Sequence, residues 1–105
     1  MKTLRFLLEY HCCPVWVLDE QGGLIGNGLP ADMVSDKNLV NLINQIQEEY
    51  DNLFENTSTY FGYHGFENEF EKQLFFTKVN SAIDLLKQKV GNTYQIQVDV
   101  DMSDY

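Results

Sequence analysis

The clearest pattern in the sequence is in residues 93–102, which read Thr93-Tyr94-Gln95-Ile96-Gln97-Val98-Asp99-Val100-Asp101-Met102. Apolar and polar residues alternate through this stretch without a break. Successive side chains of a β-strand point to opposite faces, so the pattern predicts a strand with one buried face and one wet face. A sheet that is wet on one side is typically antiparallel or mixed, and its other side must be covered by further elements.

Two amphipathic helices are predicted to provide that cover. The first begins at a cap on Ser35 or Asp36, runs for about five turns and ends near Glu55-Asn56. Its apolar side recurs at helical spacing and comprises Leu39, Leu42, Ile43, Ile46, Tyr50, Leu53 and Phe54. The second opens on acidic residues and ends at Gly91-Asn92, a typical C-cap signal. Its apolar stripe comprises Phe70, Leu74, Phe75, Val79, Ala82, Ile83, Leu86 and Val90.

The remaining strands are predicted on either side of the first helix. Residues 3 to 10 alternate loosely and favour an N-terminal strand, and residues 15–18 and 24–25 flank a turn of the kind that joins a hairpin. Residues 57 to 66 contain β-type residues and two glycines, which favour a short irregular or edge strand. The fold class is therefore α+β: a small antiparallel or mixed sheet of N-terminal strand, hairpin and C-terminal strand, with both helices packed on one face. The pattern does not give the strand order.

Composition limits the kind of protein this can be. A chain of 105 residues with 44% apolar and 13% aromatic residues fits one globular domain over residues 1–105. The apolar stretch near the N-terminus is too short for a signal peptide, and no run is long enough to span a membrane, so we expect a cytoplasmic protein. The net charge of −9 disfavours nucleic acid and anionic membranes as partners and favours a basic protein.

Catalytic and metal-binding patterns are weak. Cys12 and Cys13 are adjacent, and two thiols with two imidazoles do not supply the spaced ligand pairs of a structural zinc site. A nucleophile formed by a cysteine and His64 has no supporting motif, so buried or half-buried thiols without chemistry are favoured. Asp99, Asp101 and Asp104 could approach a hard cation, but a solvated strand face with a frayed acidic tail fits better. We expect no enzyme, no cofactor and no metal.

The charge is unevenly distributed. Between Lys37 and Lys72 there is no Lys or Arg, whereas seven acidic residues fall there: Glu48, Glu49, Asp51, Glu55, Glu67, Glu69 and Glu71. They bracket the aromatic segment 60–66, and aromatics rimmed by carboxylates are typical of a protein interface. The candidate partner-binding residues are Glu48, Glu49, Asp51, Glu55, Tyr60, Tyr63, His64, Phe66, Glu67 and Glu71. The alternative is that the aromatics are core and the carboxylates only keep the protein soluble.

Several short motifs together resemble a known kind of protein. They are Cys13-Pro14-Val15-Trp16, Asp19 before a glycine turn, Leu29-Pro30, Tyr50-Asp51-Asn52-Leu53-Phe54, and Phe61-Gly62-Tyr63-His64-Gly65-Phe66. The combination resembles small acidic proteins of Gram-positive bacteria that are similar to the immunity proteins of polymorphic toxin systems. That resemblance implies a non-catalytic protein that binds and neutralises a toxin. The alternatives are a homodimeric housekeeping or regulatory domain, pairing through an exposed strand edge, and an enzyme using Cys12, Cys13 or His64.

Overall fold

A computed structural model of the chain describes residues 1–57 and 59–105 and has the α+β class that the sequence predicts. Two helices are combined with a four-stranded sheet and a separate two-stranded sheet. The elements in chain order are β1 (Lys2–Phe6), β2 (Val15–Leu18), β3 (Leu24–Asn27), α1 (Lys37–Asp51), β4 (Phe54–Asn56), β5 (Phe61–Tyr63), α2 (Glu69–Val90), β6 (Tyr94–Val98) and a 3-10 turn (Met102–Asp104).

The main sheet is mixed, with the strand order β3-β2-β1-β6. Strand β1 is central: it pairs antiparallel with β2, where Leu4 lies opposite Val17, and parallel with β6, where Leu4 lies opposite Ile96. Strands β2 and β3 form the predicted hairpin, with a register shift between Val17 and Leu18. The parallel pairing joins the two ends of the chain, which explains why no local pattern could reveal the strand order.

The core lies on one face of this sheet. Leu4 and Phe6 of β1 are each 1% exposed and contact a single cluster that both helices complete. The buried helix residues are Leu39, Ile43, Ile46 and Tyr50 from α1, and Phe75, Phe76, Val79, Ala82, Ile83, Leu86 and Val90 from α2. The opposite face of the sheet carries Arg5 beside Trp16. Both helices therefore cover the same face, as the sequence predicts.

Strand β1 is shorter than the predicted strand of residues 3 to 10. The Leu7 amide donates to the Pro14 carbonyl at 3.0 Å, and this is where the ladder with β2 ends. Proline has no amide hydrogen, so it cannot return the bond and the pairing cannot continue. Leu8 nevertheless stays buried, at 5% exposure, so the predicted apolar face extends beyond the strand itself.

The C-terminal strand also ends early, and the tail after it is folded rather than frayed. Tyr94 and Ile96 are half-buried as predicted, but Val98 and Met102 are 41% and 45% exposed. The Asp101 carboxylate accepts a hydrogen bond from the Ser103 amide at 2.9 Å and starts the 3-10 turn, which ends the alternation. After this turn, Tyr105 packs against the hydrophobic core.

Helix α1 begins where the sequence predicts and ends one turn earlier. Asp36 is the N-cap, and its carboxylate accepts a hydrogen bond from the Leu39 amide at 3.1 Å. The prediction that the helix continues to Glu55-Asn56 is wrong. The helix stops at Asp51, and residues 54–56 become a strand whose Phe54 pairs with Tyr63.

The short strand predicted within residues 57 to 66 is β5, and it does not join the main sheet. Strands β4 and β5 make a two-stranded antiparallel sheet of their own, separate from the main sheet. Phe54 stacks on Phe61 with ring centroids 5.8 Å apart, and the edge of Tyr63 meets Phe54 at 5.3 Å. Such aromatic cross-strand pairs stabilise a short hairpin that backbone hydrogen bonds alone would not hold.

Helix α2 has the predicted ends but a narrower core face. Asn68 is its N-cap and Gly91, at a φ of 52°, ends it in a conformation that favours glycine. The prediction that Phe70 and Leu74 belong to the apolar face in the core is wrong, because their side chains are 67% and 44% exposed. Both fit a helical spacing, but they lie on the side of the helix that faces away from the sheet.

Two identical substitutions in α2 separate its inner and outer sides. Leu86 is 1% exposed and Leu74 is 44% exposed. Leu86→Ala should lower the free energy of unfolding by about 2–5 kcal/mol, because it leaves a cavity in the core. Leu74→Ala should change it by no more than about 0.5 kcal/mol. Urea unfolding followed by circular dichroism measures both, and equal losses would contradict the placement of Leu74 outside the core.

Candidate protein-binding site

The C-terminal end of α1 concentrates negative charge. Its last turn contains Glu48, Glu49 and Asp51 and no basic residue. The carbonyl end of a helix already carries a partial negative charge, so each carboxylate here destabilises the helix locally, by about 0.3–1 kcal/mol. Their combined field makes this end of the molecule attractive to cations.

The N-terminal end of α2 brings further carboxylates to the same region. The Asn68 side chain accepts a hydrogen bond from the Glu71 amide at 2.8 Å, which fixes the first turn. Glu69 and Glu71 lie in that turn, where the positive end of the helix dipole favours them. The two helix ends therefore supply acidic groups for opposite local reasons, one against the dipole and one with it.

An acidic cleft lies between these two helix ends. It has a volume of about 320 Å³ and is lined by Glu49, Asn52, Leu53, His64, Gly65, Phe66, Glu67, Glu71 and Phe75. Five of the predicted site residues therefore meet in one place: Glu49, His64, Phe66, Glu67 and Glu71. The Leu53 carbonyl accepts the amides of His64 at 2.8 Å and Gly65 at 3.3 Å, which ties the segment after β5 to the end of α1.

Glu49 is the carboxylate of the acidic cleft that has a cationic neighbour. The Lys78 ammonium lies 2.6 Å from it, with both side chains 38% exposed. An exposed pair of this kind contributes little to stability, about 0–1 kcal/mol. In the described part of the chain, neither Glu67 nor Glu71 forms an ion pair. The cleft therefore keeps a net negative charge.

A second depression, the His11 hollow, lies on the other side of the α1 terminus. It is lined by Tyr10, His11, Asn44, Gln47, Glu48, Asp51, Asn52, Phe54 and Asn56. The Asp51 carboxylate accepts the His11 amide at 2.8 Å, and His11 adopts a φ of 58°, in the left-handed region. Asn52 borders both depressions. Glu48 and Asp51 are thus separated from the acidic cleft, a division that the sequence did not indicate.

The aromatic segment divides into core and exposed parts. Phe66 is half-buried, and its ring lies 5.4 Å from Phe75 in the core. Tyr60, Phe61 and Tyr63 are 55%, 56% and 43% exposed. The interpretation of these aromatics as core residues therefore fits Phe66, but it does not fit the aromatic residues of the β4–β5 hairpin. A Cβ at Gly62 would meet the Tyr60 hydroxyl, so a larger residue there would displace the exposed Tyr60 ring.

Three predicted residues line neither of the two depressions: Glu55, Tyr60 and Tyr63. Glu55 is in β4, exposed, opposite Gly62, and Tyr60 is at the turn of the hairpin, where the Thr57 hydroxyl accepts its amide at 3.0 Å. Tyr63 contacts Tyr105, with ring centroids 6.5 Å apart. Strand β4 thus lines the His11 hollow through Phe54 and Asn56, whereas Glu55, Tyr60 and Tyr63 lie beside the two depressions.

The C-terminal Tyr105 anchors the base of this region, a role that no sequence pattern indicated. Its ring lies 6.1 Å from Tyr50 and 5.7 Å from Phe76, and its carbonyl accepts the Lys72 ammonium at 2.5 Å. Burial raises the pKa of the Tyr50 and Tyr105 hydroxyls, and the nearby Tyr105 adds to the rise at Tyr50. Both hydroxyls therefore lose their protons only above the ordinary range of tyrosine.

The cysteines and His64 do not form a catalytic pair. Cys12 and Cys13 are free and half-buried, and Cys12 lines a groove on the outer sheet face with Trp16, whereas His64 lines the acidic cleft. Burial raises the pKa of the Cys13 thiol, which disfavours the nucleophilic thiolate.

The acidic C-terminal residues have local partners. Asp99 accepts hydrogen bonds from Arg5 and from Gln97, and the Arg5 contact holds the pKa of the Asp99 carboxyl below its usual range. Asp101 caps the 3-10 turn. In residues 1–57 and 59–105, no group of three or more His, Cys, Asp or Glu side chains is arranged to hold a metal ion. Among the described residues, no helix combines the length and the apolar character that a membrane span requires.

Fold and surface together define a small α+β domain with carboxylates gathered between two helix ends and exposed aromatics beside them. Residues 2–100 match a family model described as Serratia CdiI immunity protein-like. The chain belongs to this family, and the match includes every element from β1 to β6. No curated protein matches the chain. The resemblance to immunity proteins is thus confirmed at the level of the family, and the Gram-positive source stays a prediction.

Alkaline pH tests the burial of Tyr50. Its folded pKa is raised, so the contribution of this group to stability is complete below the unfolded tyrosine pKa of about 10 and is lost as pH rises above it. Tyr50→Phe should therefore make the decline of unfolding free energy with pH shallower, by up to one proton equivalent. Urea unfolding at a series of pH values up to about 11 measures the slope. Tyr105→Phe should act in the same direction, and an unchanged slope in both variants would contradict their burial.

Proposed function

We propose that this chain is an immunity protein that neutralises a toxin by covering a basic surface of it. Membership of the immunity protein-like family supports the immunity role. The observation that carries the binding mode is the acidic cleft, where Glu49, Glu67 and Glu71 face one opening. The net charge of −9 extends the same preference over the whole molecule.

Charge and exposed aromatics have different tasks in this proposal. Carboxylates steer a basic partner and set its orientation, acting mainly on the association rate. Exposed rings such as Tyr60 and Tyr63 supply area for burial, which holds the complex once it has formed. The candidate residues lie around the end of α1, with Glu48 and Asp51 in the His11 hollow and the others in the cleft or on the hairpin. A partner that spans Asn52 would contact both depressions.

Neutralisation by covering requires no chemistry from the immunity protein. This agrees with a Cys13 thiol whose pKa is raised by burial and with His64 lying in a different cleft from Cys12. The proposal therefore includes no catalytic residue and no cofactor. It also places the chain in the cytoplasm, a compartment that keeps the two free cysteines reduced.

The toxin encoded next to the gene of this chain is the direct test. Its C-terminal domain is expressed and purified, and binding is measured by isothermal titration calorimetry at low and at physiological salt. We expect a stoichiometric complex that weakens with salt, together with protection of cells in which toxin and immunity chain are co-expressed. Absence of a neighbouring toxin gene, or of binding to its product, would rule the proposal out.

Reversal of one cleft charge should slow the formation of this complex. Glu71→Lys should reduce the association rate constant by about threefold to tenfold at low ionic strength, and the reduction should shrink as salt is added. Stopped-flow fluorescence measures the rate. Glu20→Lys is the matched control: it changes the net charge equally, but Glu20 is exposed, lies in the turn between β2 and β3 and lines neither depression.

The control decides whether the position of the charge matters. If Glu20→Lys slows association as much as Glu71→Lys, the attraction comes from the overall charge, and the acidic cleft is not the binding surface. If neither variant changes the rate, the partner is not recognised by charge.

A homodimeric domain is the second candidate, and one observation favours it. Strand β3 is at an edge of the main sheet and exposes Leu24 at 61% and Ile25 at 53%. An edge strand without charged residues or proline is able to pair with another strand. Native mass spectrometry discriminates, since a chain that stays monomeric at high concentration would exclude this candidate.

A further inference from the structure

Helix α2 carries an apolar pair on its outer side. Phe70 is 67% exposed and Leu74 is 44% exposed, and the two residues are four positions apart. Side chains at this spacing lie next to each other on one helix face. Phe70 is the most exposed of the large hydrophobic residues that the structure describes. This pair, Phe70 and Leu74, is called the outer apolar pair below.

The helix geometry shows that the pair has no part in the core. Each residue turns an α-helix by about 100°, so Phe70 and Val79 lie on opposite sides of α2. Val79 is 1% exposed and marks the side that faces the sheet. Phe75 and Leu86, also 1% exposed, lie on the same inner side. The first half of α2 is therefore apolar on two sides, and folding accounts for only one of them.

Carboxylates lie next to Phe70 at the start of α2. Glu67, Glu69 and Glu71 precede or flank Phe70 and are all exposed. In the part of the chain that the structure describes, none of these three carboxylates forms a salt bridge. The salt bridges of α2 join Lys78 to Glu49 of α1 and Lys89 to Asp36, the N-cap of α1. Glu67 and Glu71 are also lining residues of the acidic cleft. The apolar pair thus borders the cleft, with a row of carboxylates in between.

This rim determines what can cover the pair. A second copy would bring its own three carboxylates against the same three, within the screening length of about 8 Å at physiological salt. Nucleic acid and anionic lipid are repelled in the same way. A protein surface with an apolar recess or side chain ringed by Lys and Arg satisfies both features at once, since it buries the pair and neutralises the rim.

We propose that the outer apolar pair is the hydrophobic anchor of the complex with the basic toxin, and this rests on the proposed function. The contact surface then extends from the acidic cleft, over Glu67 and Glu71, to the outer side of α2. An exposed aromatic that becomes buried in such a surface is typical of the residues that dominate affinity. The carboxylates control how fast the partner arrives, and Phe70 controls how long it stays.

Phe70→Ser tests the anchor with the C-terminal domain of the neighbouring toxin as the probe. We expect the dissociation constant to rise by about tenfold or more, mostly through faster dissociation. The salt dependence of association should stay as in the wild type, unlike that of Glu71→Lys. Leu74→Ser should have a smaller effect in the same direction. Surface plasmon resonance gives both rates.

Leu24→Ser is the matched control, because Leu24 is 61% exposed, close to the 67% of Phe70, and lies in β3 on the main sheet. It should leave the dissociation rate unchanged. The unfolding free energy of all three variants should equal that of the wild type, and sedimentation should show monomers throughout.

The outcomes separate this inference from the function on which it rests. If the wild type does not bind the toxin domain, both fail. If the wild type binds, Glu71→Lys slows association and Phe70→Ser dissociates at the wild-type rate, the inference alone is overturned. A marked loss of stability in Phe70→Ser, an equal effect of Leu24→Ser, or a dimer that Phe70→Ser dissociates would each overturn it as well.

Discussion

Strand β6 pairs with β1 in parallel, and this pairing dictates where the other segments can lie. Parallel neighbours cannot be joined by a tight turn, so the chain must cross back over the sheet, and α2 makes that crossing. Since α2 directly precedes β6 and runs back against it, the N-terminal end of α2 lies where β1 and β6 end. The Lys72 ammonium, which contacts the Tyr105 carbonyl, shows this directly. His11 follows β1 and reaches the end of α1 at the same side. The candidate site is thus a product of topology.

The acidic residues at the end of α1 are tolerated because none of them is part of the hydrophobic core. Ile46 and Tyr50 keep the last turns of α1 buried on one side, at 0% and 8% exposure, whereas the acidic side chains of that segment project elsewhere. The small dipole penalty at the end of α1 is minor beside the burial of one such side chain, about 1.5–3 kcal/mol. Two of the three carboxylates also have a local partner, since Glu49 pairs with Lys78 and Asp51 accepts the His11 amide, whereas Glu48 forms no ion pair among the described residues.

The sequence predicts the fold well wherever a local pattern agrees with the final packing. Asp36 and Gly91 mark helix ends that the structure has, and Leu4 and Phe6 face the core as their alternation predicts. The predictions fail where a residue fits helical spacing but lies in another element or on another side of the helix. Phe54 follows Tyr50 at i+4 and fits a longer α1, yet pairing with β5 takes it into a strand. Periodicity reports that residues share a side, not what that side faces.

The candidate site was predictable in composition and not in arrangement. The acidic residues between Lys37 and Lys72 are visible in the sequence. Their separation into two depressions, with Asn52 on the border of both, depends on the direction in which each side chain leaves the backbone. His11 is 40 residues from Asp51, whose carboxylate accepts its amide, and only the folded chain brings them together. A single sequence carries no signal for such a contact.

Exposed aromatics on a soluble domain ordinarily promote association between copies. Here they occur beside carboxylates, and this combination changes the consequence. Two copies that approached through the start of α2 would meet with like charges, whereas a basic surface would meet opposite ones, so under the proposed function Glu67 and Glu71 favour one kind of partner and disfavour the other. Selectivity then comes from repulsion as much as from attraction. Charge would thereby convert an unselective apolar contact at Phe70 into one that accepts a narrow class of partner.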